Sequence, residues 1–250
     1  MSVLPAPAWI VGGAILGALV GSFLATLVRR WPQGRRVTTG RSACESCDTP
    51  LGPLELTPIL GYLALRGRCR RCEAPIAADH LWVELAAAAI AALAFAILPA
   101  PAGLALALIG WLLLALAWLD ARHLWLPPAL LALLALATLA SGALVTGVPF
   151  QDRLIGGLAG FVILEVIRRS YRALRGHDGM GGGDPLLFGA LGLATGWAML
   201  PMILLMAAAG SLAVALASGA ARDPTREYPL GTALAAAGHA IICLQAAGTL

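Results

Sequence analysis

Two aspartates and four cysteines are the residues in this chain whose types and spacing could do chemistry. Asp120 closes Ala117-Trp118-Leu119-Asp120 at the end of one apolar run, and Asp184 opens another after Gly179-Met180-Gly181-Gly182-Gly183. Ionisable residues in or at the ends of membrane-length apolar runs are costly and default to functional candidates. Two carboxylates near contact cannot easily both ionise. One keeps its proton, and the other serves as a base that activates water for attack on a carbonyl. The glycines before Asp184 permit positive φ and close approach of a second backbone, which marks Gly181 and Gly183 as candidates for a substrate-side loop. Each aspartate alone also has a plain structural reading as a helix-end acid. Asp184 would then be an N-cap, with Pro185 at the first helical position.

Cys44-Glu45-Ser46-Cys47 and Cys69-Arg70-Arg71-Cys72 form two CxxC pairs separated by 21 residues. Two such pairs on short turns can set four thiolates around a tetrahedral zinc ion. Four thiolates leave no open position, so the zinc expected here is structural, and a short insert would fold around it. Arg68, Arg70 and Arg71 would offset the charge of the site. The alternative is four reduced cysteines without metal. A redox dithiol is disfavoured, because that chemistry needs one pair within a βαβ pattern. Cys243 falls inside the last apolar run and reads as packing.

The elements that must position these groups are membrane helices. The 250 residues are 60% hydrophobic and 12% charged, against about 25% charged in soluble domains. This excludes a soluble enzyme, a disordered tail and a nucleic-acid-binding module. The expected fold is therefore an all-α polytopic membrane protein. Apolar runs fall at 8–28, 81–99, 102–119, 126–147, 152–168, 185–198, 199–217 and 230–249, which predicts about eight transmembrane helices. Pro201 marks the division of the 185–217 stretch as either a turn or a kink. The 17 basic residues are all arginine. With the N-terminus outside, 16 of them fall on the inner side, and Arg153 alone falls on the outer side. That asymmetry follows the positive-inside rule and places the cysteine loop, Asp120 and Asp184 on the cytoplasmic face. The expected organisation is a first span at 1–28, a cytoplasmic zinc-ribbon-like insert at 29–80 and a helical core at 81–250.

Other ionisable residues carry weaker expectations. Glu84 and Glu165 read as structural acids paired with interfacial arginines, and Arg168 and Arg169 stand one turn from Glu165. Glu84 is also a candidate supporting group. His123, three residues after Asp120, is a candidate for tuning it, and Asp178 is a weaker rival to Asp184. His80, His177 and His239 have no nameable partner.

Taken in order, these residues resemble the prepilin peptidases, or type IV leader peptidases, membrane aspartic proteases with a GxGD motif. The resemblance runs through nearly the whole chain. It includes Gly21-Ser22-Phe23-Leu24, both CxxC pairs with Leu65-Arg66-Gly67-Arg68, Val83-Glu84-Leu85, and the Asp120 segment ending in Leu126-Pro127. Gly181-Gly182-Gly183-Asp184, Ala190-Leu191-Gly192 and Tyr228-Pro229-Leu230-Gly231 complete it. The resemblance implies a bacterial inner-membrane enzyme that removes the basic leader of type IV prepilin or pseudopilin precursors, for type IV pili, type II secretion or competence systems. It further implies N-methylation of the new terminus with S-adenosylmethionine, Asp120 and Asp184 as the catalytic pair, and zinc in the cysteine loop. No residue is assigned to the methyl donor. The chain departs from the family at Leu186, after Pro185, where a lysine is usual. It departs also at Ala25 in place of asparagine and at Pro128 in place of aspartate. The alternative is a non-catalytic scaffold or transporter with a zinc-binding loop. A transporter would be expected to show internal repeats or acids at mid-membrane, and neither is evident.

Overall fold

The computed structural model describes residues 6–37, 42–177, 179–217 and 228–250. Arg41, Asp178, Arg222 and Arg226 lie outside them. Among the described residues the chain forms α1 (Ala6–Arg30), α2 (Leu60–Ala64), α3 (Asp79–Ile97), α4 (Ala102–His123), α5 (Pro128–Thr146), α6 (Phe150–Arg175), α7 (Asp184–Thr195), α8 (Leu200–Ala217) and α9 (Leu230–Ala246). There is no strand among them, only the isolated bridges Ala43–Pro50 and Arg68–Pro75. All helices but the short α2 fall on the eight apolar runs.

Among the described residues five helices are long and apolar enough to cross a membrane, α1, α3, α4, α5 and α8, with α1 and α8 extended by adjoining turns; the expected eight spans are not confirmed. The protein is thus a multi-pass membrane protein. α7 and α9 are shorter, at 12 and 17 residues, and α6 is long but charged in its first turn and from Glu165 onward. The 185–217 stretch is two helices, and the break is not at Pro201. It falls at Gly196, whose φ of +78° suits glycine, followed by a 3₁₀ turn at Trp197–Met199. Pro201 sits in the first turn of α8, where a missing N–H leaves nothing unsatisfied.

The chain divides into two compact units, Met1–Ala96 and Ile97–Leu250. In the first, Gly13, Gly17 and Gly21 recur every fourth residue on α1 and meet α3. A side chain at Gly17 or Gly21 would collide with the backbone of Ala87–Ala88 or Glu84. Small residues at this spacing let two helix backbones approach closely in lipid. Trp9 stacks on Phe95 at 6.0 Å.

In the second unit α4 is the most enclosed of the apolar helices. It packs against α5 and α9, and α7 packs against α5, α6 and α9. α6 and α7 meet glycine to glycine, with Gly156 and Gly160 against Gly192 and the Phe188 carbonyl. Thr146 donates to the Ala194 carbonyl at 2.9 Å and Gln245 to the Thr195 carbonyl at 3.1 Å, pinning the far end of α7.

Arg153 is not a loop charge. It lies in the first turn of α6 and is only 1% exposed. Its guanidinium donates to the carbonyls of Leu193 (2.9 Å), Leu139 (2.8 Å) and Thr138. The arginine that stood alone on the outer side is a core residue tying α5, α6 and α7 together.

Candidate active site and metal centre

Asp120 lies in the last turn of α4, and Asp184 is the first residue of α7. Both are buried. Asp120 is held from α9. The Thr232 N–H donates to Oδ2 at 2.6 Å, and the Thr232 hydroxyl lies 3.0 Å from the same oxygen and 3.0 Å from the Ala117 carbonyl. This contact is possible because Gly231 precedes Thr232: a Cβ there would stand 3.0 Å from Asp120 Cγ and 2.9 Å from Leu126 Cδ1. Sequence reasoning missed Thr232. The available signal was its place directly after Tyr228-Pro229-Leu230-Gly231.

Asp184 does not act as the N-cap of α7. Gly183 occupies that position without a side chain to offer, and Pro185 follows Asp184. The Asp184 carboxylate turns back instead, and Oδ2 accepts the Gly181 N–H at 3.0 Å. Gly183 lies against Leu126, where a Cβ would come within 2.6 Å of the leucine side chain, while Gly182 faces open space. Leu126 therefore borders both Gly183 and Gly231, linking the backbone beside each aspartate. A carbonyl brought to this pair would meet one group able to take a proton and one able to give it. His123 is exposed at the end of α4.

Glu165 follows its spacing: Arg168 donates to both its oxygens at 2.9 and 3.0 Å, and Arg169 adds a contact at 2.6 Å. Among the described residues Glu84 pairs with no arginine. It lies in the first unit, where its Oε2 accepts the Ile59 N–H at 2.7 Å. Cys243 is buried in α9, 3.7 Å from His239 Nε2.

The four cysteines of the insert converge, with all four sulfurs within 4.8 Å of one another. Their local folding is a repeat with a period of 25 residues. Cys44 N–H donates to the Thr49 carbonyl and Asp48 N–H to the Cys44 carbonyl; Cys69 to Ala74 and Glu73 to Cys69 reproduce the pair. Asp48 (φ +53°) and Glu73 (φ +57°) take the same left-handed turn. In each loop a backbone N–H, from Ser46 or Arg71, points at the first cysteine sulfur at 3.5 Å. Cys44–Cys72 and Cys47–Cys69 sulfurs are 3.8 and 4.0 Å apart. A tetrahedral zinc with Zn–S of about 2.3 Å sets its sulfurs about 3.8 Å apart, so the donor set and its spacing fit that ion. Thr49, hydrogen-bonded to Cys47, lowers that thiol from its usual range to about 6, while Cys72 in the same cluster is raised to about 12.

Comparison with known proteins gives two adjoining family matches. Residues 15–98 match the bacterial peptidase A24 N-terminal domain, and residues 106–216 match the type IV leader peptidase family. The chain is 36% identical to a protein of Burkholderia pseudomallei (strain 1026b) named prepilin leader peptidase/N-methyltransferase, over 96% of this chain and 87% of that one. A protein of that name from Aeromonas hydrophila is 36% identical over 79% of this chain and 69% of its own. A type 4 prepilin-like proteins leader peptide-processing enzyme of Escherichia coli O78:H11 is 31% identical over 92% of both chains. No solved structure matches.

Proposed function

The chain belongs to the type IV leader peptidase family, and from that premise we propose that it is a membrane aspartic endopeptidase. It removes the leader of type IV prepilin or pseudopilin precursors and then methylates the new N-terminus. The observation that carries this reading is that Asp120 and Asp184 are both buried at the ends of different helices, with Leu126 bordering Gly183 next to one and Gly231 against the other.

One aspartate, ionised, takes a proton from water as that water adds to the scissile carbonyl. The other, protonated, donates to the carbonyl oxygen as it gains charge. When the tetrahedral intermediate collapses, the aspartate that took the water's proton gives it to the leaving amine while the other takes a proton back from a hydroxyl of the intermediate, which restores one shared proton on the pair. Thr232 serves both charge states of Asp120. Its hydroxyl proton goes to an ionised Oδ2; when Asp120 carries the proton, the hydroxyl turns to the Ala117 carbonyl. Gly181 orients Asp184 through its N–H, and Gly183, lacking a side chain, keeps backbone close to the pair. A groove of about 580 Å³ beside Thr232, walled by Met206, Gly210, Ala233 and Ala236, is mostly apolar. It suits the hydrophobic segment that follows a prepilin leader.

Cleavage takes place at the cytoplasmic face of the bacterial inner membrane, with the N-terminus of the enzyme outside. The arginine asymmetry of the loops supports this orientation. Cys44, Cys47, Cys69 and Cys72 hold a structural zinc ion. S-adenosylmethionine supplies the methyl group.

The test is co-expression with a prepilin in cells lacking other leader peptidases, with leader removal read by gel shift and N-terminal mass. Wild type cleaves and adds 14 Da to the new terminus, about the mass of one methyl in exchange for hydrogen. Asp120→Asn and Asp184→Asn, each still inserted in the membrane, leave the precursor intact. Full cleavage by either variant overturns the two-aspartate mechanism.

A further inference from the structure

Tyr228 stands where α9 begins, and a constrained turn sets it there. Pro229 holds φ −74° and ψ 81°, and the Leu230 N–H donates to the Tyr228 carbonyl at 2.9 Å. This is a three-residue turn in which the proline ring fixes φ. The run Tyr228-Pro229-Leu230-Gly231 therefore places a phenol close before Thr232, the residue that reaches Asp120.

Tyr228 lines the same groove as Thr232, and Ala121, next to Asp120, lines it too. The phenol hydroxyl is buried and has no hydrogen-bond partner among the described residues. Its surroundings offer little, for Met206, Val214 and Ala236 are apolar. The Thr232 hydroxyl is already committed to Asp120 and the Ala117 carbonyl. A buried hydroxyl without a partner costs stability, and a phenylalanine would fill the same space without that cost. A tyrosine here makes sense if a ligand brings the missing partner.

The substrate of a leader peptidase has that partner to give. Water can add to the scissile carbonyl only where the precursor is extended, out of its helix. Over that stretch the main-chain N–H and C=O groups lose their intrahelical bonds, and a mostly apolar groove returns none. Resting on the reading of the chain as a leader peptidase, we infer that Tyr228 is a substrate-binding residue. Its hydroxyl donates to a main-chain carbonyl of the precursor in the unwound stretch beside the scissile bond. Because the contact is to backbone, it serves precursors with different side chains alike.

The experiment uses the full-length protein in lipid nanodiscs with a prepilin precursor. Tyr228→Phe removes the hydroxyl alone. KM should rise about fivefold with kcat little changed, because a hydrogen bond made equally before and during the reaction alters binding only. Thermal unfolding of the same variant without substrate gives a second reading. Its Tm should stay level or rise, since the hydroxyl has no bond to lose in the free enzyme. A fall in Tm, an unchanged KM or a loss confined to kcat overturns the assignment. Binding of intact precursor to Asp184→Asn, with and without Tyr228→Phe, separates the contact from the chemistry. Fivefold weaker binding by the double variant, with no cleavage by wild type, upholds the contact and overturns the peptidase reading, roughly as one hydrogen bond predicts. Cleavage by wild type, with equal binding by the single and double variants, overturns the contact and leaves the peptidase standing.

Discussion

Thr232 grips Asp120 through two atoms at once, its N–H at 2.6 Å and its hydroxyl at 3.0 Å, both on Oδ2. In the proposed mechanism the other carboxylate oxygen serves the reaction. Thr232→Val keeps the backbone donor and the side-chain shape but removes the hydroxyl. A hydrogen bond to a charged group is worth about 1.5–3 kcal/mol, so kcat should fall about 10- to 100-fold with the protein folded and inserted. Thr232→Ser should recover most of the rate. The check is prepilin cleavage at saturating substrate.

The glycines near the aspartates separate by what a methyl group would meet. Gly231→Ala drives a Cβ against Asp120 and Leu126, and Gly183→Ala drives one into Leu126, while Gly182→Ala meets nothing within 4 Å. Overpacking costs about 1–3 kcal/mol. The first two variants should therefore lose tenfold or more in cleavage, roughly, and Gly182→Ala should cleave as wild type does. Equal loss at all three would argue for backbone freedom instead of packing.

Elemental analysis of the purified protein should find one zinc per chain. Cys47→Ser or Cys69→Ser should lose it, and strong chelators should strip it from wild type. Protons compete with the ion for the four thiolates, so zinc should be kept at neutral pH and released on acidification.

Arg153 should matter for stability and not for chemistry. Arg153→Leu removes three hydrogen bonds from the contacts among α5, α6 and α7, costing about 3 kcal/mol. Arg153→Lys should recover only part, since an ammonium cannot span the same three carbonyls. Unfolding in mild detergent is the measurement.

Much of the site was legible because its residues break the pattern around them. Asp120 and Asp184 stand out as acids at the ends of apolar runs, and paired CxxC spacing has few other meanings. Thr232 was hidden because a threonine early in an apolar helix looks like any other; only the fold shows which carboxylate it reaches. Arg153 was misread because a charge count assigns sides but not burial. The α6–α7 glycines drew no notice in a chain with 29 glycines, since one small residue declares nothing until its partner is known. The break at Gly196 lost to Pro201 for a similar reason: proline is tolerated at a helix start, whereas the positive φ belongs to the glycine.

α7 has a further consequence through its length. At 12 residues it rises about 18 Å, against a hydrocarbon layer of about 30 Å. Asp184 stands at one end of this short rod, and the remaining depth falls to irregular backbone, which survives only where protein covers it or solvent wets it. A hydrolase buried among lipids has to import one of its two reactants. A helix this short leaves water less depth to cross before it meets the carboxylate at its end.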